Sequence, residues 1–270
     1  MISQTLTIIG AGNMGRAIAS GLLAKKTLLP SSLVLTDPHT AGLEAFEKKG
    51  VAVTSDNKKA VHGAEIIVLA VKPQAFPEVL SGLKGVVVSD QLVISIAAGI
   101  EIGTIKKIFG VRQPVIRVMP NLAATVGESM SCWVKSPEVS KEQEELAREL
   151  LSAIGKEAEL ETEDQIDAVT AVSGSGPAYI FYLTEMMEQS AKDLGLSSET
   201  AAVLARQTVI GSSKLLAESD KTPKELRIQV TSPGGTTQAA IESFETANLK
   251  KIFFNGLRAA YKRAKELSGR

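Results

Sequence analysis

Three glycines at fixed offsets constrain this chain more than anything else in it. Gly10-Ala11-Gly12-Asn13-Met14-Gly15 follows the apolar run Leu6–Ile9 directly. Met14, Ile18 and Leu22 then recur every four residues, which puts one apolar stripe on a helix over about residues 12–24. A strand that turns through G-x-G-x-x-G into a helix opens a β-α-β unit. In that setting Gly10 permits the tight turn, Gly12 lets the backbone approach a pyrophosphate, and Gly15 lets helix and strand pack closely. The helix N-terminus adds unpaired N–H groups for an anion. The next apolar run, Leu33–Thr36, leads into Asp37, 22 residues after Gly15, the spacing at which a carboxylate meets the ribose of a dinucleotide.

The same rhythm continues through residues 66–71, 92–96 and Val115–Met119, runs that are apolar on both parities as strands buried on both faces should be. After Trp133, Leu146, Leu150 and Ile154 repeat a helical stripe behind a Glu-rich first turn, and residues 158–161 read as a last edge strand. Residues 1–162 are therefore expected to form an α/β domain, a Rossmann-type doubly wound sheet. From about Glu163 long helical patterns take over, at residues 164–193, 198–217 and 247–267. Residues 163–270 are expected to be an all-α domain. Its helices are apolar over more than one stripe, and so small a segment is expected to bury the surplus against a second copy of itself.

Charge narrows the partners. Lys plus Arg and Asp plus Glu are 30 each, so no global field draws the chain to nucleic acid or to an anionic membrane. The basic residues of 250–265 are spaced round a helix with Phe253, Leu257 and Tyr261 on one side, which reads as a solvated face. One cysteine, Cys132, cannot form an internal bridge, and with two histidines the zinc spacings are absent, so no metal is expected. The first residues carry no basic leader and no apolar run approaches about 18 residues, so a soluble, cytoplasmic protein is expected.

Other segments fall where an open sheet presents its crevice. Ala70-Val71-Lys72-Pro73 and Ala97-Ala98-Gly99 follow the runs at 66–71 and 92–96; their small residues suit either a ribose and nicotinamide ring or close helix–sheet packing. Ser173-Gly174-Ser175-Gly176-Pro177 reads as a helix start with exposed backbone. Val230-Thr231-Ser232-Pro233-Gly234-Gly235-Thr236-Thr237 precedes another helical pattern. Successive N–H groups in a glycine turn at a helix start receive a carboxylate or phosphate, although a plain capped turn has the same sequence.

The blocks IGAGNMG, AVKP at 70–73, AAG at 97–99, RVMPN at 117–121, DAVTAVSGSGPAY at 167–179 and VTSPGGTT at 230–237 give the chain a resemblance, over nearly its whole length, to the pyrroline-5-carboxylate reductases. The resemblance implies reduction of a cyclic imine, 1-pyrroline-5-carboxylate, to L-proline with NADPH or NADH, the last step of proline synthesis. It implies that the dinucleotide lies on Gly10, Ala11, Gly12, Asn13, Met14, Gly15, Thr36, Asp37, Asn57, Ala70, Val71, Lys72, Pro73, Ala97, Ala98 and Gly99. It further implies that the substrate carboxylate sits around Gly234, Gly235, Thr236 and Thr237, that the Thr237 hydroxyl meets the ring nitrogen as the catalytic group, and that Ser232 and Asn121 line the pocket. Glu163 matches an acidic residue that relatives place near the substrate, with Glu161 and Asp164 near-equivalent in sequence. Such enzymes dimerise through interlocked helical domains, each pocket borrowing from both subunits, and often build rings of dimers. NADPH-specific relatives often carry Ser, Asn or Arg after the second strand. Thr36 and Asp37 stand there in this chain, and Asp37 is expected to repel a 2′-phosphate, although Lys58 and Lys59 near the same rim leave coenzyme choice open. The competing readings are a β-hydroxyacid dehydrogenase, which needs a lysine base that residues 176–189 lack, and a catalytically silent nucleotide sensor of the same fold.

Overall fold

The computed structural model of the chain describes residues 2–269. In chain order its first elements are β1 (Leu6–Ile9), α1 (Asn13–Ala24), β2 (Leu33–Thr36), α2 (Glu44–Glu47), β3 (Ala52–Thr54), α3 (Asn57–Val61), β4 (Ile66–Leu69), α4 (Phe76–Leu83) and β5 (Leu92–Ser95). Then come α5 (Ile102–Phe109), β6 (Val115–Met119), β7 (Ser129–Lys135), α6 (Lys141–Ser152), β8 (Gly155–Glu159) and α7 (Gln165–Val169). A π-helical turn, Thr170–Gly174, leads into α8 (Gly176–Asp193), α9 (Ser198–Glu218), α10 (Pro223–Gln229), α11 (Thr236–Thr246) and α12 (Leu249–Leu267).

All eight strands form one sheet in the order β3-β2-β1-β4-β5-β6-β7-β8. The first six are parallel to their neighbours, β7 is antiparallel to β6, and β8 runs parallel to β7. The order reverses between β1 and β4, and in an open α/β sheet the crevice beyond the carboxyl ends of such strands is where ligands bind. Alternation along the strands builds two cores. Leu6, Ile8, Ile66, Val68, Leu92 and Ile94 point to one face, Ile9, Ile67, Leu69 and Val93 to the other. Strands buried on both faces explain why these runs carry no polar alternation.

Some expectations shift. The last strand lies at Gly155–Glu159 rather than 158–161, because Gly155 fits where any Cβ would run into the backbone of Ser129. The run at 66–71 ends as a strand at Leu69, with the Ala70 N–H still donating to the Ile9 carbonyl at 2.8 Å. β7 has only a short apolar alternation in the sequence, Met130, Cys132 and Val134, with Trp133 between. Its buried Ser129 and Ser131 satisfy one another at 3.2 Å, so hydroxyls stand where apolar residues would signal a strand.

The chain divides into two compact units. One takes in residues up to Ser175 together with those from Ala260 on, and the other spans Gly176–Ala259. The change of rhythm near Glu163 thus precedes the division by contacts, since α7, the π-turn and the end of α12 belong with the sheet. In the second unit α8 packs on α9, and Tyr179 meets Phe253 edge to face at 6.0 Å. Little else is enclosed there: α8, α10 and α11 bury no residue in the single chain. Among the described residues no helix is long and apolar enough to cross a membrane, and no cluster of His, Cys, Asp and Glu is placed to hold a metal.

Candidate active site

The glycine turn after β1 is built as its sequence demands. Gly10 has φ +98, and a Cβ there would lie 2.8 Å from the carbonyl of Ala70, so the turn is pressed against the end of β4. A Cβ on Gly15 would collide with the Gly10 carbonyl oxygen, so only glycine lets α1 start so close to β1. Gly12 is different: nothing lies within 4 Å of its Cβ position. Gly12 is also the N-cap of α1 and supplies no side-chain cap. The N–H groups of Gly12, Asn13 and Met14 find no acceptor among the described residues. Open space beside open donors at a helix N-terminus is what a pyrophosphate requires.

The side chains named around this turn are brought together, but several are already engaged. Asp37 accepts the Ala11 N–H on Oδ2 and the His39 N–H on Oδ1, both at 2.9 Å. Its carboxylate therefore braces the turn. Repulsion of a 2′-phosphate, which the sequence suggested, is blunted by those two donors. The buried Thr36 hydroxyl donates to Asn57 Oδ1 at 2.7 Å, which holds the start of α3 against the end of β2. Ala70 and Val71 flank Gly10, and Lys72 and Pro73 lead exposed into a short 3-10 turn. Arg16, which sequence reasoning passed over, donates from Nε to the Ala11 carbonyl at 2.6 Å.

Beyond β5, Ala97 is buried and Ala98 and Gly99 are half-buried. A Cβ on Gly99, at φ +76, would lie 2.7 Å from the Leu267 carbonyl oxygen. Gly99 is thus required for the close approach of the end of α12, the packing alternative the sequence had left open. Glu163 accepts from Arg117 Nη1 and from the Ile102 N–H on the same oxygen, each at 2.9 Å. Arg117, on β6, is only 1% exposed and also lies 4.0 Å from Asp167. The structure gives Glu163 a partner in the fold, an anchor for the start of α5. Asn121 caps the turn after β6 and donates from Nδ2 to the Ser173 hydroxyl at 3.1 Å. Gly174 fits where a Cβ would lie 2.5 Å from Met119. The π-turn therefore lies over the carboxyl end of β6, and such turns recur at functional sites.

In the second unit α11 begins as α1 does, behind a glycine. Gly235 is its N-cap and offers no side chain. The Gly235 N–H donates to Ser232 O at 3.0 Å and the Gly234 N–H to Gln238 Oε1 at 2.7 Å. Those two donors are consumed inside the turn. The groups left open are the N–H of Thr236, Thr237 and Gln238, for which the described residues supply no acceptor. Ser232 Oγ lies 2.6 Å from the Cβ position of Gly235 and so closes the turn tightly. By contrast α6, α9 and α10 start behind Ser140, Ser197 and Thr222, whose hydroxyls cap them. Gln238 is a contributor the sequence reading missed, although Gln at N3 is the signal of a capping box.

The open cradle at Gly12 fits a dinucleotide, and comparison with known proteins bears on the rest. Residues 163–267 match the family model described as pyrroline-5-carboxylate reductase dimerisation, and residues 5–99 match the model described as NADP oxidoreductase, coenzyme F420-dependent. A curated pyrroline-5-carboxylate reductase of Pseudomonas aeruginosa is 41% identical over 273 residues, which covers 99% of this chain and 98% of that one. The solved structure of a pyrroline-5-carboxylate reductase from Coxiella burnetii aligns with a TM-score of 0.92 at 40% identity over 99% of both chains. That of the Plasmodium falciparum pyrroline carboxylate reductase, with NADP bound, aligns with a TM-score of 0.88 at 29% identity, again over 99% of both. Likeness of this kind along the full length, with both glycine-started helices in place, means that the chain belongs to the pyrroline-5-carboxylate reductase family.

Proposed function

We infer that the chain reduces 1-pyrroline-5-carboxylate to L-proline with NADPH or NADH. The observation that carries this reading is the pair of helix starts, one in each unit, that lack a side-chain cap and keep three successive N–H groups open. Each suits one anion, the pyrophosphate at Gly12 and the small carboxylate at Thr236. Thr36, Asp37, Asn57, the segments 70–73 and 97–99, and the turn 10–15 hold the dinucleotide. Gly234, Gly235, Thr236, Thr237 and Ser232 form the carboxylate receptor, and Asn121 and Glu163 belong to the substrate side.

When bound, the nicotinamide supplies a hydride for the imine carbon. The chain's own task is orientation. The Thr237 hydroxyl accepts from the N–H of the protonated imine, so the proton stays on nitrogen and no strong acid is asked of the protein. That agrees with a candidate region without histidine or cysteine. Most of the acceleration then comes from holding the reacting atoms in near-attack geometry. Addition of pyrroline-5-carboxylate to the protein should oxidise NAD(P)H, and a silent sensor would leave the coenzyme untouched. Thr237→Ala should lower kcat/KM roughly ten- to a hundredfold, the worth of about one oriented hydrogen bond. A variant equal to the parent would remove Thr237 from its role.

The hydroxyacid dehydrogenase reading finds no support in α8, whose one lysine, Lys192, stands at its far end in an ion pair with Glu188. We further propose that dimers of this chain assemble into a ring and that it works in the cytoplasm. A single cysteine, buried and free, agrees with a reducing compartment.

A further inference from the structure

Arg16 does more than the turn needs. Its Nε grips the Ala11 carbonyl at 2.6 Å while Asp37 Oδ2 takes the N–H of the same residue at 2.9 Å. The guanidinium thus comes from α1, and the carboxylate from the end of β2, onto the two peptides that flank one residue, Ala11. Beyond Nε, Nη1 and Nη2 reach the loop that follows β2, each 3.5 Å from the Cβ position of Gly42. Among the described residues neither has a hydrogen-bond acceptor. Glu44, the first residue of α2, commits Oε1 to the Gly42 N–H at 3.1 Å. Its carboxyl is held below the ordinary range chiefly by its own and the Gly42 N–H groups, and least by the charge of Arg16.

We propose that Arg16 is the side chain that reads the 2′-phosphate of NADP(H), and that through it the chain selects the phosphorylated coenzyme in spite of Asp37. The end of β2 is where a Rossmann-type sheet meets the adenosine ribose, and an arginine nearby is the group that accommodates a 2′-phosphate there. Two free, coplanar Nη donors match phosphate oxygens in pairs, which a lysine cannot do. Asp37, with an N–H on each oxygen, is less disposed to hold the ribose hydroxyls of NAD(H). The assignment rests on the dinucleotide reading above, and the test separates the two.

Binding without turnover, by titration calorimetry on the full chain, gives the answer. The parent should bind 2′,5′-ADP at least about tenfold more tightly than 5′-AMP, and the gap should shrink as salt is raised. Arg16→Met should weaken NADPH at least about tenfold more than it weakens NADH, with Arg16→Lys between the two. Equal affinity of the parent for the two adenosine phosphates, or equal loss of both coenzymes in Arg16→Met, would overturn the role of Arg16 and confine it to bracing Ala11. A parent that binds neither coenzyme would overturn the dinucleotide reading itself.

Discussion

In the first unit β1, β4, β5 and β6 send alternate residues into two closed cores, whereas in the second an 18-residue helix, α8, buries none of its own. Ile180, Phe181, Tyr182, Leu183 and Met186 are exposed along it, and Val203, Leu204 and Ile210 along α9. A parallel sheet covered by helices on both sides satisfies its apolar surface within one chain. A few helices packed mainly as the α8–α9 pair do not, and a surface of that character marks an interface. The match to a dimerisation family over residues 163–267 points to a homo-oligomer. The larger unit thus encloses its apolar surface within the chain, and the smaller leaves much of its own exposed.

The largest effect should come from charging that uncovered face. Phe181→Asp combined with Leu183→Asp removes two large apolar groups, each worth about 1.5–3 kcal/mol when buried, and adds carboxylates that an interface must desolvate. Light scattering should report monomers, and the reductase activity should fall with the assembly. A variant that keeps the parent's mass would mean that the α8 face is not where the subunits meet. The same pair of changes on the sheet unit's surface has no such consequence to offer, which is the contrast drawn as an experiment.

The two units also differed in how plainly the sequence announced them. β1, β2 and β6 stand where their apolar runs place them, because strands buried on both faces have no polar partner to blur the pattern. β7 was missed although Met130, Cys132 and Val134 alternate in it, since Ser129 and Ser131, buried as hydroxyls that satisfy each other, break the apolar run. The glycine turns were legible because their spacing encodes backbone geometry, and Gly10, Gly12 and Gly15 take three different roles for three different steric reasons. What their side-chain neighbours do was not legible. Asp37 braces Ala11, and Glu163 pairs with Arg117 across 46 residues of sequence; contacts of that range leave no local period to read.

Within the sheet unit the Arg117 contact is the point at which stability should be most easily lost. Arg117 is almost wholly buried and faces Glu163 and Asp167, with Ser268 donating to Asp167 at 3.2 Å. Removing one member of a buried ion pair strands the other, so Arg117→Met should destabilise by about 3–5 kcal/mol. Adding Glu163→Gln to that variant should restore part of the loss. Urea unfolding at one fixed protein concentration reads both changes, since the assembly makes stability depend on concentration. Glu163→Gln alone sharpens the comparison further. If Glu163 acts on the substrate, KM for pyrroline-5-carboxylate should rise with little change in stability; if it serves the fold, the reverse should hold.

The smallest effect is expected at the sheet's far edge, where β7, β8 and α6 share a charged network. Lys135 Nζ donates to Glu144 and, at 2.8 Å, to Glu159, while Arg148 bonds Glu144 and Glu159 and lies 4.7 Å from the centre of the Trp133 ring. The Lys135 ammonium, with help from Arg148, holds the Glu144 carboxyl below its ordinary range. The same bonds raise Lys135, whose contribution is present below its unfolded value and fades only in strong alkali. A carboxyl lowered on folding contributes stability above its unfolded value, about 4.3, and loses it as pH falls through the folded value. These groups are partly solvated, so Glu144→Gln should cost about 1 kcal/mol or less at pH 7. That gap between parent and variant should hold down to about pH 5 and close in stronger acid. Urea midpoints taken from pH 7 to pH 3 would show it, and a gap unchanged at pH 3 would place the stabilisation in packing against Trp133 rather than in charge.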